Sequence, residues 1–271
     1  MIKEMPKSQP IPEINYSDPV TMPIYALLIQ MGKKVLRPGG MELTRKMLEM
    51  LNINTTDKVV EFAPGTGDTA KIALSYKPAR YTAIERDKDL VKFVSSYLDG
   101  SNQKCLLGRA EETGLPDTSC SVVYGEAMMN MMPNDTKQLI IDESARILKP
   151  GGRYGFHEVY LKPDDIDDIK RDEIAQALRA ATKVGVTPFT ISEWMQALEK
   201  AGFEVKEYHK APFHLLSPGR LIQDEGFFGA LRFVRKLISY PAARKRLWAM
   251  RSALKKYENY IGAVTILSQK K

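Results

Sequence analysis

The stretch Val59-Val-Glu-Phe-Ala-Pro-Gly65-Thr-Gly67-Asp68 constrains this chain most, because its character changes within a few residues. A short apolar run reads as a buried strand (57–63, DKVVEFA), breaks at Pro64 and Gly65, and gives way to a helical pattern at 71–76. Glycines at a strand-to-helix turn let backbone N–H groups approach a ligand with no Cβ between them. The helix N-terminus adds positive potential there. Glu85 closes the next apolar run (81–85, YTAIE), where a carboxylate can accept from both hydroxyls of a ribose.

The same alternation continues. Further strands are expected at 103–107, 120–124, 153–160, 203–209 and 259–267. Helices are expected at 88–98, from an Asp135 cap to Leu148, and from the capping box Thr190-Ile-Ser-Glu193 to Gly202. Short apolar strands alternating with helices imply an α/β fold, a doubly wound and mostly parallel sheet covered on both faces. Two segments fall outside the alternation, and the whole chain, 1–271, reads as one domain bearing both. Residues 1–50 are expected to form a helical cap with helices at 25–36 and 41–51. Residues 217–257 are expected to form a helical insertion whose second helix starts at Pro241.

The glycine turn alone leaves two ligands open, because Gly65-x-Gly67-x-x-Ala70 with Glu85 also fits a dinucleotide fingerprint. Glu61, at the end of the first strand, suits an ammonium group and would repel a pyrophosphate. Gly108-Arg-Ala-Glu111 after the third strand places backbone and polar groups beside an adenine, and Ile147-Leu-Lys-Pro-Gly-Gly-Arg153 joins a helix to the fifth strand.

Taken together, VVEFAPGTG, YTAIE, GRAEETGLP and ARILKPGGR resemble the class I S-adenosylmethionine-dependent methyltransferases, especially the small-molecule type related to the ubiquinone and menaquinone C-methyltransferases. The resemblance covers 57–160, and RPGGMELTRKML at 37–48 is similar to the segment preceding the first motif in some members. It implies a Rossmann-like seven-stranded sheet with one antiparallel strand near the edge, and S-adenosyl-L-methionine as cofactor. By the same resemblance Glu61, Ala63, Gly65 and Gly67 would meet the methionine part, Glu85 with Arg86 the ribose, Ala110 and Glu111 the adenine, and Glu126 the methionine side. The chain departs from the family at Ala63 (commonly glycine), Arg109 (commonly Asp) and Ser121 (commonly Asp).

Methyl transfer from a sulfonium is an in-line displacement with a neutral leaving group, so a base is needed only if the acceptor must lose a proton. His157 and Glu158, expected at the outer end of the fifth strand, are the candidates, since histidine as a residue type suits a base at neutral pH. Met128, Met129, Met131 and Met132 after the fourth strand suit an irregular apolar acceptor pocket as well as a core. No metal site is expected, since His, Cys and carboxylates show no ligand spacing.

Charge is uneven: residues 200–271 carry +10 and the first 199 carry −3. From Gly226 to Tyr257 there are nine Lys/Arg and no acid, with Phe227, Leu231, Val234 and Ile238 at helical spacing. This reads as a basic amphipathic helix pair packing its apolar stripe on the domain, with a lid role or peripheral membrane contact through 226–257 as the sharper alternatives. Its aromatics lack the interleaving of a nucleic-acid surface. Two cysteines give no disulfide framework, the N-terminus lacks a signal-peptide core, and no apolar run nears the ~18 residues of a membrane span, so a cytoplasmic setting is expected. The expected activity is methyl transfer to a small, partly apolar molecule. An RNA methyltransferase using the basic C-terminal region and an NAD-dependent oxidoreductase remain as alternatives.

Overall fold

The computed structural model describes residues 18, 20–33, 35–99, 101–213 and 218–271. The first seventeen residues of the expected cap lie outside the described residues. Helices α1 (Ile24–Gln30) and α2 (Gly40–Leu51) precede β1 (Lys58–Phe62). Then α3 (Asp68–Ser75), β2 (Arg80–Glu85), α4 (Lys88–Ser95), β3 (Gln103–Leu107), β4 (Cys120–Glu126), α5 (Asn134–Ile147) and β5 (Leu148–Leu161) follow. The chain continues through α6 (Asp168–Thr182), β6 (Phe189–Thr190), α7 (Ile191–Lys200) and β7 (Phe203–Pro212), and ends with α8 (Pro218–Ser239), α9 (Pro241–Lys256) and β8 (Ile261–Lys270).

The sheet runs β3-β2-β1-β4-β5-β8-β7, with β6 paired to β5 off that path. Strands β1 to β5 pair in parallel, and β8 is antiparallel to both β5 and β7. This is the Rossmann-like, doubly wound, mostly parallel sheet expected from the alternation, with its antiparallel strand one place in from the edge. The eighth strand, β6, is only two residues long and gave the sequence no period to show.

Side chains of a strand alternate between faces, which splits the core in two. Val60, Phe62 and Val123 pack with Ile140, Ile141, Trp194 and Leu198 of α5 and α7. Val59, Tyr81, Ala83, Val122 and Tyr124 pack with Met47, Leu51 and Ala73 of α2 and α3 on the other face. A third cluster joins α1, α6, α8 and α9 through Leu27, Leu28, Ile174, Phe233 and Leu247, and meets the sheet at Leu161 of β5 and Ile261 of β8.

Several local expectations change. Helix α1 stops at Gln30, because Gly32 at φ +90 turns the chain and its N–H closes on the Ile29 carbonyl at 2.8 Å. Helix α2 lies on the sheet, where Leu51 meets Gly155, so of the two described helices of the expected cap only α1 stands away from it. Helix α5 begins at Asn134 after Pro133, and Asp135 sits in its first turn without capping a backbone N–H. The buried face of α5 is Ile140, Ile141, Ala145 and Ile147, while Leu139 is exposed. Helix α6 was not read from the sequence, since PDDIDDIKRDEI is mostly charged and its buried residues are few: Ile174, Leu178 and Thr182. Pro241 does open α9, as expected. Ser121, where the family commonly has Asp, accepts from the Lys58 N–H at 2.9 Å and donates to Asp57 at 2.7 Å, tying β1 to β4.

Candidate active site

Three adjacent parallel strands each bring a carboxylate to the same face near the carboxyl edge. Glu61 on β1 stands level with Ala83 on β2 and Tyr124 on β4. Glu85 and Glu126 are therefore one pleat repeat further along their strands, on the side chain parity of Glu61. That offset sorts their roles. Glu85 and Glu126 border a cavity of about 310 Å³ at the strand ends, whereas Glu61 lies one layer below it. Tyr81 and Tyr124 donate their hydroxyls to one Glu61 oxygen. Burial pushes the Glu61 carboxyl up to about 7 against the lowering effect of Tyr124 and Tyr81.

The turn at 63–67 forms the cavity floor, lined by Ala63, Pro64, Gly65 and Thr66. Ala63 adopts φ +51, a left-handed conformation that costs an alanine about 1 kcal/mol and explains the common glycine there. Gly67 is the N-cap of α3 at φ +73 and does not line the cavity; the Tyr97 hydroxyl sits against it, where a Cβ would collide. That hydroxyl is buried with no hydrogen-bond partner among the described residues. A cradle with room above Gly65 and an unsatisfied donor beside Gly67 fits a polar ligand at the turn.

Glu85 accepts from the N–H groups of Arg86 (2.8 Å), Asp87 (3.0 Å) and Gly65 (3.4 Å). Burial nevertheless raises its pKa, the three N–H groups opposing it. Arg86, Ala110 and Glu111 also border the cavity, and Arg109 reaches across to Glu111 at 2.5 Å. Asp87 caps α4 through the N–H groups of Asp89 and Leu90, so its carboxylate is spent on the helix.

Glu126 is the most heavily held group of the site. Arg37 Nε lies 2.8 Å from its Oε2, Thr44 donates to Oε2 at 2.7 Å, and Thr69 donates to Oε1 at 3.2 Å. Burial raises its pKa, but Arg37, His157 and Thr44 outweigh that and hold the carboxyl below its ordinary value. Arg37 was not singled out as a site residue in the sequence. Its only signal was its place in the RPGG segment, since nothing local says that residue 37 will meet residue 126.

His157 and Glu158 do not sit at a strand's outer end. Strand β5 runs on to Leu161, where β8 and β6 pair with it, so both residues are interior to the strand and fully buried. Being consecutive, they face opposite sides of the sheet. The His157 Nδ1 is 3.5 Å from Glu126 Oε2. Glu158 accepts from the Met128 and Met129 N–H groups at 2.8 and 2.7 Å, fastening the turn after β4. Burial pushes the Glu158 carboxyl up to about 7, with those N–H groups pulling it down. Neither side chain lines the cavity.

The rest of the wall is apolar. Ile24, Leu28 and Leu36 come from the N-terminal segment, Met131 and Met132 from the turn after β4, and Val186 from the link after α6. Met129 is instead a core residue, its sulfur 3.6 Å from the Tyr154 hydroxyl. The contribution of 182–186 went unread, because its residues reach the site only through the placement of α6. Both cysteines are pushed up to about 12, chiefly by burial, which leaves them as thiols. Among the described residues no group of three or more His, Cys, Asp or Glu could hold a metal ion, and no helix is long and apolar enough to cross a membrane.

Comparison with known proteins adds to this geometry. Residues 60–156 match the family model described as a methyltransferase domain. An uncharacterized protein of Haemophilus influenzae is 29% identical over 247 residues, 90% of this chain and 96% of its own. The 27-O-demethylrifamycin SV methyltransferase of Amycolatopsis mediterranei is 25% identical over 173 residues, 62% of each chain. Among solved structures, a phosphoethanolamine N-methyltransferase 2 of Haemonchus contortus in complex with S-adenosyl-L-methionine superposes with a TM-score of 0.66 at 13% identity, over 91% of this chain and 56% of that one. The pyridine-dinucleotide reading of the glycine turn falls with these matches. Residues 60–156 are a methyltransferase domain by this match, and the chain is a methyltransferase.

Proposed function

We propose that the chain transfers a methyl group to a small, partly apolar molecule bound in the same cavity as the cofactor. One observation carries this reading. A single cavity is lined both by the glycine turn and Glu85 and by Ile24, Leu28, Met131, Met132 and Val186. Its volume of about 310 Å³ falls at the lower end of the ~300–1,000 Å³ usual for small-molecule sites.

In this reading Glu85 accepts from the ribose hydroxyls, with Arg86 beside it. Ala110 gives the adenine a flat apolar contact, and Glu111 borders its edge. Ala63 and Gly65 offer backbone beneath the methionine part, and Tyr97 beside Gly67 supplies a hydroxyl donor there. Glu61 and Gly67 act from below, through the tyrosines and the helix turn. Bound S-adenosylmethionine supplies an activated methyl on a cationic sulfur. Glu126, held ionised by Arg37, would present fixed negative charge on that side of the cavity.

His157 and Glu158 then serve as positioning residues. His157 holds Glu126, and Glu158 holds the backbone that carries Met131 and Met132 into the wall. No proton transfer by either is required for an acceptor that reacts in its neutral form. The apolar end excludes water and aligns the acceptor.

The test uses cofactor carrying a labelled methyl group, incubated with the purified chain and a cell extract freed of macromolecules, in parallel with total RNA. Label should pass into material that partitions into organic solvent. Label transferred to RNA and not to that fraction would overturn the proposal.

A further inference from the structure

Helices α8 and α9 turn the expected amphipathic arrangement inside out. Beyond Gly226, whose φ of 72 and ψ of 170 interrupt the helix, the residues of α8 that face the domain are Ala230 and Phe233, with Leu237 half-buried beside them. Phe227 and Phe228 are 67% and 80% exposed, and Leu231, Val234 and Ile238 are exposed with them. At about 100° per residue, 227, 231, 234 and 238 form one stripe, roughly a quarter-turn from the buried face.

On α9 the residues 244, 248, 251 and 255 share a face by the same spacing. They are Arg244, Trp248, Arg251 and Lys255, all exposed, with the Arg251 guanidinium 5.7 Å from the Trp248 ring. Trp248 and Arg251 border a groove of about 90 Å³ between the two helices, with Leu237 of α8 opposite. The hairpin thus presents one apolar stripe with a tryptophan beside it, flanked by exposed Arg232, Arg235, Arg244, Lys245, Arg251 and Lys255.

We propose that this face docks on the surface of an anionic lipid bilayer, with Phe227, Phe228, Leu231, Ile238 and Trp248 seated among the headgroups. Phenylalanine, leucine and tryptophan on one face with lysine and arginine alongside is the arrangement that an interfacial helix needs, because apolar burial and attraction to anionic lipid then act together. The charge decides among occupants. Between Gly226 and Tyr257 there are nine Lys/Arg and no acid, so the same face of a second copy would meet it with like charge. RNA would use the cations but leaves Leu231, Val234 and Ile238 without a stacking role.

The docked face also lies next to the acceptor end of the cavity. Lys236 of α8 donates to the Gln30 carbonyl at 2.7 Å, and Arg232 packs against Gly32. Helix α1, held in this way, contributes Ile24 and Leu28 to the cavity wall. One helix therefore separates the bilayer face from the apolar end of the site.

The experiment is cosedimentation of the full-length chain at low salt with vesicles of phosphatidylcholine alone and with phosphatidylcholine mixed with phosphatidylglycerol. The chain should pellet with the anionic vesicles and stay in solution with the neutral ones. Added salt should weaken binding, and the Phe227→Ser/Phe228→Ser variant should bind at least about tenfold more weakly. Both phenylalanines are exposed and outside the cavity, so thermal unfolding and S-adenosylhomocysteine affinity of that variant should equal those of the parent chain. Absence of pelleting with anionic vesicles would overturn the proposal, as would equal binding by the variant. A dimer of the parent chain that the two substitutions convert to monomer would overturn it as well, since the stripe would then be covered by a second copy.

Discussion

The cavity wall has two parts, here its glycine-turn end and its apolar end, and they are built on different physics. At the glycine-turn end, position comes from the backbone: strand register sets Glu85 and Glu126 at the rim and Glu61 beneath it, and the N–H groups of residues 65, 86 and 87 orient the Glu85 carboxylate. At the other end, position comes from side-chain packing of α1, the link after α6 and the turn after β4, none of which is part of the sheet. A backbone-defined end tolerates little change of ligand, while an end made of aliphatic and thioether side chains can be reshaped by substitution without disturbing the sheet. One fold can therefore keep its cofactor and vary its acceptor. Arg37 joins the two ends, coming from the segment between α1 and α2 to meet Glu126 on β4.

Breaking that joint should give the largest effect. Arg37→Ala leaves Glu126 buried without its cation, which costs about 3 kcal/mol and is read as a lowered urea midpoint. If the midpoint is unchanged, the two ends are not coupled through this pair. Next in size is Glu85→Ala, which should weaken S-adenosylhomocysteine binding about a hundredfold by calorimetry. In Glu85→Gln, which keeps an acceptor for the N–H groups of residues 65, 86 and 87, affinity should also fall while the unliganded chain keeps its stability, and that split separates a ligand-holding carboxylate from a structural one.

Much of the backbone-defined end was legible in the sequence, since glycines, a strand-ending carboxylate and period-two apolar runs report directly on local conformation. Glu85, Arg86, Gly65, Ala110, Glu111 and Glu126 do meet around one cavity. What misled was distance along a strand. Reading β5 as 153–160 put His157 and Glu158 at an outer end, but pairing with β8 and β6 extends the strand and buries both. The side-chain end was far less legible. Arg37, Val186 and the absence of Met129 from the wall depend on how helices pack, which periodicity does not encode. The stripe on α8 shows the same limit: its spacing was visible, but the choice between Phe227 and Phe233 as the buried face was not.

A smaller effect concerns the turn that carries Met131 and Met132. Glu158 keeps its proton in the native chain up to about pH 7, whereas in the unfolded chain it ionises near 4.5. Between these values the unfolded state releases a proton that the native state retains, so stability falls as pH rises through that window and levels off above it. Glu158→Gln should remove about 1–2 kcal/mol of that loss, measured as the difference between urea midpoints at about pH 5 and about pH 8. Glu61 shifts in the same direction, so part of the slope should remain, and an unchanged slope would assign it to other groups. The smallest change should come from Ala63→Gly, which relieves the left-handed strain at φ +51 and raises stability by about 0.5 kcal/mol despite the freer unfolded chain.

The comparison of the two ends rests on where the cofactor lies. A crystal structure of the chain with S-adenosylhomocysteine tests it most directly. The ribose hydroxyls should lie within hydrogen-bonding distance of Glu85, with the sulfur turned toward Leu28, Met131 and Met132. A ribose away from Glu85, or a sulfur facing solvent with that apolar wall behind the adenine, would contradict it.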